Sequence, residues 1–166
     1  MPATYEPIAT TTLGSAAATI TFSSIPATYT DLRFTWVGTS SVDVVSFFMR
    51  FNSDTGSNYS NTILSGSGSS AFSSRNTNLT YGNLPPTGGI SSTIPTFTTV
   101  DIFFYAGFTF KTWLDTGQDD RNGSGYVTRD VGLWRSTSAI TSITLSPSSG
   151  NFNAGTTATL YGIKNA

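Results

Sequence analysis

The chain has no cysteine and no histidine. The first absence removes disulfides and thiolate metal sites; the second removes the commonest general base and the commonest metal ligand. Charge is scarce as well: 10% of the 166 residues are Asp, Glu, Lys or Arg, against about 25% in ordinary soluble proteins. Basic and acidic residues nearly cancel, to a net charge of −1, so the basic footprint of a nucleic-acid binder is missing. No apolar run approaches the ~20 residues of a membrane-spanning helix, and no secretory apolar region follows Met1. The expectation is synthesis in a reducing cytosol, with no nucleic acid, membrane or cofactor as partner. Asn58-Tyr59-Ser60, Asn78-Leu79-Thr80 and Asn122-Gly123-Ser124 match the glycosylation pattern, and without a leader they read as chance matches in a Ser/Thr-rich chain.

What replaces charge is hydroxyl and aromatic side chains. Phe, Tyr and Trp supply 13% of the chain, ample for one core, and a single domain of this length buries ~70% of the surface its unfolded chain exposes. A weakly charged, hydroxyl-rich surface suits a protein packed into a larger assembly or displayed in many copies.

The dominant pattern has period two, the signature of half-buried strands. In residues 17–22, Ala18, Ile20 and Phe22 share a face; in 32–37, Leu32, Phe34 and Trp36 do. Residues 44–51 are apolar on both faces, with Val45, Phe47, Met49 and Phe51 opposing Val44, Ser46, Phe48 and Arg50. That predicts a central strand, or one whose second face meets another chain. Residues 59–64 read as a short strand, and 97–110 as two strands divided near Gly107, with Val100, Ile102 and Phe104 on one face. Residues 126–135 read as a strand with Val127, Val131 and Leu133 inward. Segments 66–70, 83–92 and 115–125 read as loops. Residues 140–145 and 158–163, separated by the turn formers 146–151, read as a closing hairpin. No helical stripe is present. Roughly eight or nine strands at such spacing predict an all-β, antiparallel, jelly-roll-like sandwich over residues 16–166.

Residues 1–15 lack a usable period, and Pro2 and Pro7 favour extended backbone. They read either as a first edge strand or as an arm that lays Tyr5 and Ile8, with Pro7 between them, on a neighbouring subunit.

Two Asp-Thr-Gly triplets, Asp54-Thr55-Gly56 and Asp115-Thr116-Gly117, are the sharpest catalytic candidates. Aspartic proteases carry this triplet twice, because two carboxylates must share a proton and activate a water. Such a two-lobed enzyme needs a far longer chain, and tight turns capped by Asp, with Gly at positive φ, explain both triplets more simply. Asp115, Asp119, Asp120 and Asn122 supply oxygens of the kind that calcium takes, but off EF-hand spacing and with Arg121 among them. A sugar platform would use exposed Trp; alternation places Trp36 in the core. Trp134 beside Arg135 either stacks at a subunit contact or plugs one end of the sandwich.

At Tyr5-Glu6-Pro7-Ile8-Ala9-Thr10-Thr11, residues 24–32, Arg50-Phe51-Asn52, Gly132-Leu133-Trp134-Arg135-Ser136, Ser142-Ile143-Thr144-Leu145, Gly150-Asn151-Phe152 and Leu160-Tyr161-Gly162-Ile163, the sequence resembles small virion proteins of tailed bacteriophages. The resemblance spans both ends and part of the middle, leaving out residues 66–94. It implies a non-enzymatic β-sandwich of the virion. On that reading the chain is a capsid decoration, or cement, protein that sits as a homotrimer on the major capsid protein and clamps the shell. A tail or fibre tip that binds a host receptor or glycan is the other reading. Contacts with capsid or neighbouring subunits are expected at Tyr5, Pro7, Ile8, Trp134 and Arg135.

Overall fold

The computed structural model describes residues 4–164; residues 1–3 and 165–166, and with them the expectation for Pro2, lie outside the described residues. The strands are β1 (Tyr5–Thr12), β2 (Ile20–Phe22), β3 (Asp31–Gly38), β4 (Phe47–Phe51), β5 (Tyr59–Gly66), β6 (Ala71–Leu79), β7 (Gly82–Leu84), β8 (Thr96–Phe103), β9 (Lys111–Asp120), β10 (Gly125–Trp134), β11 (Ile143–Pro147) and β12 (Thr157–Ile163). The fold is all-β and forms a sandwich of two antiparallel sheets. The large sheet runs β1-β12-β3-β8-β9-β10-β5-β6 and the small one β2-β11-β4-β7.

Alternation does most of the construction. Leu32, Phe34 and Trp36 of β3 and Ala158 and Leu160 of β12 turn inward and are fully buried. Ile20, Phe22, Phe47, Met49, Phe51, Ile143 and Leu145 face them from the small sheet. Trp36 sits 4.7 Å from Phe47 and 5.4 Å from Phe152 between ring centroids. Farther along, Phe51 lies 5.8 Å from Trp113 and 5.4 Å from Trp134. Centroids in this range give tilted and edge-on ring contacts whose attraction adds to area burial.

Several expectations from the sequence are overturned. The described residues form twelve strands, more than the eight or nine expected, because β7 is a three-residue strand and β6 is a polar, largely exposed edge with no apolar alternation. Residues 115–120 are the second half of β9, not loop. The real turn is Asn122-Gly123, both at positive φ (53° and 115°), closed by the Arg121 N–H donating to the Ser124 carbonyl at 2.8 Å. Two central residues at positive φ match the twist of a hairpin, and Asn-Gly tolerates it best.

In β10 the expected faces are reversed: Val127 and Val131 are 61% and 50% exposed, while Thr128, Asp130 and Trp134 are buried. Gly132 keeps the register because the Trp113 indole fills the space where its Cβ would stand. Phe104 leaves the face of Val100 and Ile102, since its φ of 50° ends the strand and turns the ring out. Residues 44–51 form a strand only from Phe47; Val44 is exposed at φ 57°. Phe48 stacks on Tyr81 of the same chain at 3.8 Å. Finally, β11 and β12 belong to different sheets, so the last two strands form no hairpin.

Candidate functional site

Residues 5–12 form an edge strand in this chain, not a free arm. β1 pairs with β12 from Tyr5↔Ile163 to Thr12↔Thr157, with the register shifting between Pro7 and Ala9. Proline is tolerated there because an edge strand needs bonds on one side only. Ile8 falls at the irregularity and packs, half-buried, against this chain's own core. Tyr5 and Pro7 remain on the surface, with the Arg33 guanidinium 5.4 Å from the Tyr5 ring centroid. The strand is pinned by Glu6, which accepts from Lys164 Nζ at 2.8 Å and from the Tyr29 hydroxyl at 3.2 Å. The Lys164 bond is the main reason the Glu6 carboxyl sits below its ordinary range, against a smaller opposing effect of burial.

Trp134 takes the second of its two readings. It is 2% exposed and closes one end of the core, with Nε1 donating to Asp54 Oδ2 at 2.7 Å. Its ring is therefore unavailable to a partner. Arg135 is exposed but already engaged, donating to the Ser57 carbonyl and to Asn78 Oδ1 at 2.8 Å. Trp36 and Trp113 are buried as well, so none of the three tryptophans offers a sugar platform.

The two Asp-Thr-Gly triplets do not form a shared site. Asp54 caps a turn: Gly56 N–H donates to Oδ1 at 2.7 Å and Asn58 Nδ2 to Oδ2 at 2.9 Å. Burial raises its pKa, but the bonds from Trp134, Asn58 and Gly56 outweigh that and hold the carboxyl below its usual range. Gly56 is not at positive φ, so this turn does not need glycine for its backbone. Asp115 is no turn residue. It lies mid-strand, 1% exposed, with Trp113 Nε1 donating to Oδ2 at 2.8 Å.

Its partner is one that sequence reasoning missed: Asp130 stands directly opposite on β10, 2% exposed, with Asn61 Nδ2 donating to Oδ2 at 2.9 Å. Burial first, and then the Asp130 charge, push Asp115 well above the ordinary carboxylate value, against the Trp113 bond, the nearby Asp130 backbone N–H and Arg129. Burial pushes Asp130 up to about 7, against the Asn61 bond. A strict inside–outside count along residues 126–134 would have placed Asp130 beside Trp134, but valines on the other face drew the assignment away.

The four oxygen donors weighed for calcium are dispersed. Asp119 is paired with Arg121 and accepts from Tyr126 N–H, while Asp120 accepts from Asn122 N–H in the turn. Among the described residues no group of three His, Cys, Asp or Glu is gathered for a metal.

The outer face of the eight-stranded sheet carries exposed apolar side chains. A line of threonines crosses it in register, Thr10–Thr159–Thr35–Thr99–Thr116, and Arg129 follows on β10. Leu64 of β5 extends the line beyond Arg129; Val37, Phe97 and Val127 stand on one side of it and Val131 on the other, and these five are each 41–61% exposed. The ion pair Arg33–Asp101 is one of few charges there, with Arg33 Nη2 donating to Asp101 Oδ2 at 2.8 Å. At the end of this sheet, residues 104–110 carry Phe104, Phe108 and Phe110, exposed by 65%, 94% and 51%. That loop is held rigidly from below: buried Lys111 donates through Nζ to the Gly107 and Thr109 carbonyls at 2.8 and 2.5 Å, and Tyr105 is buried with its hydroxyl on the Pro26 carbonyl. Among the described residues this face gathers no ligand set for a metal.

No protein-family model matches the chain, and a search of curated proteins returns no match.

Proposed function

We propose that this chain is a non-enzymatic structural protein of a phage virion, a decoration protein that binds the major capsid protein as a homo-oligomer, a trimer, and stabilises the shell. The observation that carries the reading is the uncovered outer face of the large sheet, where valine, leucine and phenylalanine stand among threonines and few charges. Contiguous exposed apolar surface on a sheet marks an interaction site, and an uncharged one matches a partner that excludes water over a broad area. The N-terminal strand enters this surface through Tyr5 and Pro7 and through Thr10, which begins the threonine line. In the same reading the order β1-β12-β3-β8 in one sheet over β2-β11-β4-β7 in the other is the winding of a jelly roll, with β5–β6 and β9–β10 as hairpins added to one side.

The test is addition of the purified protein to bare phage shells. Binding in hundreds of copies, with a raised shell melting temperature, is the expected result, since a ligand of the assembled state stabilises it. The double variant Val127→Lys, Val131→Lys changes two outward side chains and should fold yet fail to bind. Wild-type that leaves shells unaltered, or a double variant that decorates them normally, overturns the reading. A second reading, a tail tip that binds a host receptor, is favoured by the rigid, phenylalanine-bearing loop at one end of the sandwich; Phe108→Ser would then abolish binding to host cells while leaving shells unaffected.

A further inference from the structure

The interior holds a pair of acids that assembly by the outer face does not use. Asp115 and Asp130 oppose each other across β9 and β10, and both are at least 98% buried. Each has one satisfied oxygen, Oδ2, which accepts from Trp113 Nε1 or Asn61 Nδ2. The other oxygen of each, Oδ1, is buried with no hydrogen-bond partner. Two like charges side by side in a dry site do not both persist, and a lone buried acceptor forfeits its hydration without return. One proton answers both problems. Carried on one Oδ1 and donated to the other, it satisfies the two orphaned atoms together and leaves a single negative charge. The Trp113 and Asn61 N–H groups already face that charge.

The surroundings favour a proton over a cation. A calcium ion needs six to eight oxygens, whereas this pair is flanked in register by Val100 of β8 and Ile63 of β5. The neighbouring interior rungs are Thr98, Gly117, Thr128 and Ser65 on one side and Ile102, Trp113, Gly132 and Asn61 on the other. The opposite layer brings Phe51 of β4 onto Trp113, while Thr87 of the segment after β7 bonds Thr128; both are neutral. Strand β6 adds Asn76, which donates to Asn61 Oδ1 at 3.0 Å. The titratable groups nearby are Arg129, which faces outward beside Thr116; Tyr59, whose hydroxyl is bonded to the Phe51 backbone; and Asp119, neutralised by Arg121. We propose that Asp115 and Asp130 hold one proton between their Oδ1 atoms, and that this proton clasps β9 to β10 and loosens that half of the sheet when it leaves.

The sign follows from linkage. The folded pair keeps a proton that the unfolded chain releases, so its contribution is whole at acid pH and lost as pH rises through neutrality. The folding equilibrium constant should fall with rising pH by up to tenfold per unit from the ordinary carboxylate range up to about pH 7.

The experiment measures proton release on unfolding near neutral pH, from unfolding heats in buffers of different ionisation enthalpy. Carboxyl-carbon NMR of the folded wild-type protein is recorded alongside. About one proton released per chain, and a protonated carboxyl resonance of the pair at pH 6, is the expected result. Asp115→Asn, whose amide can donate to Asp130 without a proton, should remove most of the release and flatten the pH dependence. Amide exchange in β9 and β10 should quicken above neutral pH more than in β3 and β8. No proton release, with both carboxyls ionised at pH 6, overturns the proposal, and so does uniform exchange. A melting temperature raised by calcium and lowered by chelator at pH 8 would put a cation in the proton's place and also overturn it. Should Asp115→Asn fail to fold, the wild-type proton count and NMR decide alone.

Discussion

The sandwich has two interiors. Where β3 and β12 face β4 and β11, every inward side chain is apolar, and Trp36, Phe47 and Phe152 meet ring to ring. Where β9, β10 and β5 run on toward the Asn122-Gly123 turn, the inward side chains are Asp115, Asp119, Thr128, Asp130 and Ser65, with Ile63 the apolar exception. They lie partly under the segment that follows β7, where Pro85 covers Gly117 and accepts from Thr98. The first interior coheres by excluding water; the second by directed bonds, each of which must find its partner. The difference teaches that a sheet can extend past the layer that covers it, provided its inner face changes from packing to hydrogen bonding.

Substitutions can break that contrast. Trp36→Ala, in the aromatic interior, should show the largest loss, about 3–5 kcal/mol in chemical denaturation, because it removes a fully buried ring. Gly132→Ala tests the border between the two interiors: the new methyl meets the Trp113 indole, and overpacking of this kind costs about 1–3 kcal/mol. A neutral result would show that Trp113 can shift and that the border is loose. Asn61→Ala, in the polar interior, strips Asp130 Oδ2 and the Asn76 amide of their partner. About 1–3 kcal/mol is expected, at the lower end if water enters. Smallest of all, Val131→Thr should change stability by no more than about 0.5 kcal/mol, since the side chain faces outward. A loss as large as that for Trp36 would mean that β10 is turned the other way.

The apolar interior was legible in the sequence and the polar one was not. Leu32, Phe34 and Trp36, or Ile143 and Leu145, announce their face because hydrophobic alternation and burial coincide. In β10 they part company: Val127 and Val131 alternate with Thr128 and Asp130, and the apolar set is the one outside. Sequence has no signal for a polar residue whose partner lies on a strand distant in the chain, as Asn61 is for Asp130. The stretch 115–125 was misread for a similar reason, since acids and glycine look like loop. Yet Asn122-Gly123 stood there as a hairpin signal. Of the site residues, Tyr5 and Pro7 lie on the surface, Ile8 packs half-buried against this chain's own core, and Trp134 is buried in it. Small isolated apolar residues near a terminus read alike whether they serve their own fold or a neighbour's.

One consequence of the β1–β12 pairing is mechanical. The strands run antiparallel with Thr4 and Lys164 side by side, the Lys164 N–H donating to the Thr4 carbonyl at 3.1 Å. A force that draws those two points apart loads the ladder one rung at a time, starting at Tyr5↔Ile163, because the bonds lie across the strands. Pulled in that way the edge unzips at low tension, with the Glu6–Lys164 pair as its first catch. A load spread over the broad outer face meets the strands of the sheet together and finds no such starting point.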